Sequence, residues 1–138
     1  MGQKTVVLVS ALALVITWSV MLAQGRHKLD KSEIERRFTD VTFDCLDMPK
    51  NRKFVAYDAP NGRLQILEPD GNISQDRTWY INDMDQRCAT SPDWTAPKCF
   101  DLYEIRDGVY HQYLDGRHVY TLVNFRDGNQ LSNGEALN

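Results

Sequence analysis

Two histidines and two tyrosines stand at a spacing that could build a site. His111 and His118 flank Asp115-Gly116, a dipeptide that supplies the positive φ a tight hairpin needs. A two-residue turn there sets Tyr113 opposite His118 and His111 opposite Tyr120, so that all four share one face of the ribbon. The chemistry on offer is a titratable aromatic surface for a ligand or protein partner, or a weak metal site. Two imidazoles without a third ligand rarely hold a metal, and an ordinary amphipathic strand surface explains the same residues. No metal and no other cofactor is assigned.

The remaining candidates are weaker. Asp83 and Asp85, and Asp70 with Asn72, occur at turns. A calcium loop needs more oxygen ligands at fixed spacing and a late bidentate Glu, which are missing, and turn chemistry accounts for these residues. There is no Gly-x-Ser-x-Gly, no phosphate-binding glycine loop and no His-Glu-x-x-His, so no catalytic residue is named. Asn72-Ile73-Ser74 matches a glycosylation sequon that chance often produces. A paired-carboxylate hydrolase stays open, because the separation of two acids in space is not readable from sequence. The aromatics are numerous for a small domain and include Trp79, Trp94, Phe100 and Tyr120. A barrel lined with them would hold an apolar ligand, although small barrels also fill their interiors with such side chains.

The elements that must position these residues read as mainly β. Asp30 with Glu33 three residues on forms a capping box for one short helix, with Leu29, Ile34 and Phe38 inward and an end near Phe38. Beyond Thr39, turn signals recur at Asn61-Gly62, Asp70-Gly71, Asp107-Gly108, Asp115-Gly116 and Asp127-Gly128. Between them lie seven strand-like runs, Thr42–Leu46, Lys53–Tyr57, Arg63–Glu68, Arg77–Asn82, Lys98–Ile105, Val109–Leu114 and Arg117–Phe125. An antiparallel meander of this size must hide its edges by closing into a barrel or folding into a sandwich, with the helix over one open end. The tail 132–138 is polar and is expected to be loose.

The N-terminus carries an address. Thr5 to Ala23 contains no charged residue. That run is longer than the apolar core of an ordinary signal peptide and at the short end of a membrane span. Its length argues for a retained anchor, whereas Ala23-Gln24-Gly25 supplies the small residues of a cleavage site. Residues 1–25 are therefore a signal peptide or a membrane anchor, and residues 26–138 form the folded domain. The net charge is −3. With no basic block, the domain gives nucleic acid no electrostatic footprint.

Three cysteines are present, Cys45, Cys88 and Cys99. Three pairings are possible. In an oxidising compartment the compact, turn-rich segment between Cys88 and Cys99 favours that pair. Cys45 is then a buried small hydrophobe or the source of an intermolecular bridge. No Cys-x-x-Cys occurs, so neither a thioredoxin-like redox centre nor a zinc knuckle is read here.

From Leu64 to Leu131 the chain resembles an uncharacterised family of bacterial exported proteins, domain of unknown function 995. The resemblance lies in the order of a strand entering Pro69-Asp70-Gly71, Trp79 within a strand, Cys88 closing it, Cys99 opening the next, and Gly128-Asn129 near the end. It implies a β-rich domain of the bacterial periplasm with a Cys88–Cys99 bridge, and it implies no activity. The expected function is a non-catalytic exported or membrane-anchored domain. Its ligand is a protein partner, an envelope component or a small apolar molecule. The alternatives are an accessory subunit of a membrane complex held by residues 5–23, and the small hydrolase.

Overall fold

A computed structural model describes residues 26–131; the signal or anchor segment 1–25 and the tail 132–138 lie outside the described residues. No helix among the described residues is long and apolar enough to cross a membrane. The elements in order are β1 (His27–Lys28), α1 (Lys31–Phe38), β2 (Val41–Asp47), β3 (Arg52–Asp58), β4 (Arg63–Leu67), β5 (Ile73–Ile81), β6 (Gln86–Thr90), β7 (Lys98–Arg106), β8 (Val109–Leu114) and β9 (Arg117–Asp127). Each strand from β2 to β9 pairs antiparallel with the next, and β9 returns to pair with β2. The result is a closed eight-stranded up-and-down barrel, so of the two expected closures the barrel is the one adopted. β1 adds Lys28 and His27 to Tyr103 and Glu104 of β7, beyond the stretch that β6 occupies.

The turns follow from residues that tolerate positive φ. Asp115 and Gly116 both adopt it, at 51° and 77°, and close the two-residue hairpin between Leu114 and Arg117. Eight strands are found in the barrel where seven were expected. The extra one is β6, whose sequence Gln-Arg-Cys-Ala-Thr lacks the β-branched and aromatic run that marks a strand. Its inward positions are Arg87 and Ala89, so it presents a charge where a core strand usually presents a hydrophobe. β5 also begins at Ile73, ahead of the expected Arg77.

The helix forms as its capping box predicts. The Asp30 side chain accepts from Glu33 N–H at 2.9 Å, and the Glu33 carboxylate accepts from Asp30 N–H at 3.3 Å. Leu29, Ile34 and Phe38 are buried, with exposures of 1% or less. Lys31 N–H donates to Asp85 of the β5–β6 turn, and Arg37 donates to the Tyr110 hydroxyl. These contacts seat α1 across one end of the barrel. Phe38 packs edge-on against Phe43, Tyr110 and Phe125 and fills that end. Outside the barrel, Leu131 covers Val55 and Leu67 with help from Tyr57.

Candidate functional site

The end of the barrel away from α1 is hollow. A cavity of about 360 Å³ lies between the aromatic plug and the loops that join β2 to β3, β4 to β5 and β6 to β7. Its wall comes from all eight barrel strands, largely from alternate residues, because strand side chains point in and out by turns. Phe54 and Ala56 line it from β3, Leu64 and Ile66 from β4, Ala89 from β6, and Phe100 from β7. Tyr120 stands inside with its ring edge-on to both Phe54 and Phe100, centroids 5.7 Å from each. Ala56 and Ala89 leave room where larger side chains would close the space. Aromatic side chains thus fill the α1 end of the barrel and line, without filling, the other end.

The floor of the cavity is polar. Asp58 and Arg87 are 0% and 4% exposed. Arg87 Nε donates to Asp58 Oδ2 at 2.7 Å and Nη2 to Oδ1 at 2.5 Å. Nη1 reaches Gln112 Oε1 at 3.2 Å, and the guanidinium lies 5.5–6.0 Å from the rings of Phe43, Phe38 and Trp79. Burial pushes the Asp58 carboxyl above its ordinary range, against the opposing pull of Arg87. Both carboxyl oxygens nevertheless accept from the guanidinium, the bidentate arrangement that an ionised carboxylate makes with arginine.

The mouth carries mixed charge. Arg52 Nε lies 3.6 Å from Asp47, whose other oxygen accepts from Lys50 N–H. Trp94 is held between cations, with Lys98 Nζ 4.2 Å and the Arg77 guanidinium 5.6 Å from its ring. The loop bearing Trp94 is fastened at its base by the Cys88–Cys99 disulfide, which joins directly opposed residues of β6 and β7. Cys45 lines the cavity and is 3% exposed. Burial raises its thiol far above the ordinary range, so it sits inside as a small hydrophobe and presents no sulfur at the surface.

The predicted quartet is divided. Tyr113 pairs with His118 as expected, but His111 faces Thr121, and Tyr120 faces Gln112. The cause is a bulge at Val119, which adds one residue to β9 and turns Tyr120 inward. Outside the barrel, His111 and His118 stack at 4.0 Å and Tyr113 stacks on His118 at 5.3 Å. Arg26 lies 3.9 Å from the Tyr103 ring and 4.6 Å from that of Tyr113. Burial, then the neighbouring His118 and Arg26, hold His111 below the ordinary histidine range. Among the described residues no three His, Cys, Asp or Glu side chains converge as metal ligands would. The acidic turns serve the fold: Asp85 receives the helix N–H, and Asp70 accepts from Asn72.

Comparison with family models, with curated proteins and with solved structures found no match to this chain. The site therefore has to be read from its own geometry. Sequence reasoning missed Asp58, Arg87 and Gln112. A signal existed for Gln112, because alternation along Val109–Leu114 puts Tyr110, Gln112 and Leu114 on the face opposite His111 and Tyr113.

Proposed function

We propose that the protein is a non-catalytic carrier or sensor that takes a small, largely apolar molecule into the open end of its barrel. The carrying observation is the cavity of about 360 Å³ bounded by Phe54, Ile66, Phe100 and Tyr120. That volume falls at the lower end of ordinary small-molecule sites, roughly 300–1,000 Å³, and eight strands give an interior able to hold one small ligand. An exported or membrane-anchored domain of the periplasm remains part of this reading. Its grounds are the apolar run of residues 5–23 and the resemblance to the family of unknown function, in which a Cys88–Cys99 bridge is expected.

The accessory-subunit reading draws on one observation of its own. The Arg26, Tyr103, Tyr113 and His118 surface adjoins the point where residues 1–25 join the domain. It could serve a protein partner without competing with the cavity.

The test is uptake of the neutral dye N-phenylnaphthylamine by the full chain, followed by its fluorescence. One dye per chain is expected, with loss of uptake in Ala89→Phe, which fills the hollow wall. Residues 5–23 are common to both proteins and so cancel. Equal uptake by the variant, or none by either protein, refutes the reading.

A further inference from the structure

The cavity floor presents two hydrogen-bond donors that have no partner among the described residues. Gln112 is 2% exposed, and its amide orientation is fixed by chemistry. Arginine has no acceptor, so the oxygen of Gln112 must face Arg87, as it does at 3.2 Å. Its Nε2 then turns away from Arg87 and meets no acceptor among the described residues, while the side chain lines the cavity. Tyr120 is the direct cross-strand neighbour of Gln112. Its hydroxyl likewise has no hydrogen-bond partner among the described residues, and it lines the same space. Among the described residues Glu104 Oε2 is the only fully buried side-chain polar atom without a hydrogen-bond partner, so these two donors keep surface open to the cavity and can be reached by an acceptor that enters it.

We infer that Gln112 Nε2 and the Tyr120 hydroxyl receive an uncharged carbonyl oxygen of the ligand, with its apolar body against Phe54, Phe100 and Ile66. The assignment rests on the apolar-ligand reading and sharpens it to ketones, esters, lactones or amides. Two donors side by side select an acceptor. An ionised carboxylate is disfavoured there because Asp58 already neutralises Arg87. The floor therefore offers no net positive charge to offset the desolvation of an anion. An ammonium head would find the Gln112 donor opposed to it and only the Tyr120 hydroxyl able to accept, whereas a carbonyl oxygen is served by both.

The test uses three probes of similar shape, acetylnaphthalene, isopropylnaphthalene and naphthoate, each displacing N-phenylnaphthylamine from the full chain. Acetylnaphthalene should compete about tenfold better than isopropylnaphthalene, the value of one or two neutral hydrogen bonds, and better than naphthoate at neutral pH. Tyr120→Phe keeps the ring contacts and should erase part of that preference. Gln112→Leu should erase most of it. If Gln112→Leu fails to fold, Tyr120→Phe alone still decides the matter. Equal competition by the acetyl and isopropyl probes overturns the carbonyl site while leaving an apolar cavity. Stronger competition by naphthoate overturns it in favour of an anion site. If the dye itself does not enter, the proposed function fails and this inference falls with it.

Discussion

Replacing Asp58 by Asn tests what holds the floor together. The change is nearly isosteric and removes one charge. Arg87 would then remain positive, 4% exposed, and surrounded by Phe38, Phe43 and Trp79. The carbonyl of the introduced amide can still accept one guanidinium N–H, and Gln112 keeps another, but the charge has no counter-ion. Breaking one side of a buried pair costs about 3–5 kcal/mol. A domain of this size has a total stability of roughly 5–15 kcal/mol, so the variant should stand near the edge of folding. The double change Asp58→Leu with Arg87→Met removes both charges and should recover most of the loss, because the desolvation penalty vanishes with the attraction. Urea unfolding followed by tryptophan emission suits the measurement, since Trp79 sits against Arg87. The midpoint should fall with the slope unchanged. The reasoning is wrong if Asp58→Asn costs less than about 1 kcal/mol, the level of an exposed pair. It is equally wrong if the double variant is no better than the single one.

Two further outcomes are expected. Replacing Cys88 and Cys99 by Ser should lower stability by about 3 kcal/mol through the freed entropy of an 11-residue separation, read as a shift in urea midpoint against the oxidised protein. Tyr57 donates to Asp40 at 2.6 Å, and that bond, with some burial, pushes its phenol up to about 12. A folded value above the unfolded one of about 10 means the bond stabilises below pH 10 and that this contribution is lost as pH rises through about 12. Absorbance titration of the phenolate should show this late step, and Asp40→Asn should return it towards the ordinary value.

The helix, its cap and most strands were legible because local signals agreed with one another. Asp30 and Glu33 specify the start of α1, and Asp115-Gly116 specifies its hairpin without reference to the rest of the chain. β6 was hidden because its inward residue is Arg87, and a buried cation reads as surface until its carboxylate is located across the barrel on β3. Tyr120 was misassigned for a different reason. A single extra residue at Val119 inverts the alternation that follows it, and no composition signal marks such a bulge. The Cys88–Cys99 bridge was favoured from loop length and forms between opposed strands. The cavity itself could not be read, since it depends on where Ala56 and Ala89 fall relative to Phe54 and Phe100 on other strands.

The barrel seam joins Val41 of β2 to Asp127 of β9, residues near opposite ends of the described chain. Every other barrel pairing is between strands adjacent in sequence and can zip up locally, but this one requires the whole meander to exist before its loop can close. Closure is therefore expected late on the folding pathway. Until then β2 and β9 each expose a row of unpaired backbone groups, which is the form most open to joining a second chain edge to edge. Slow-folding or aggregating variants should accordingly map to the seam, at Thr42, Asp44, Val123 and Arg126, more often than to the cavity.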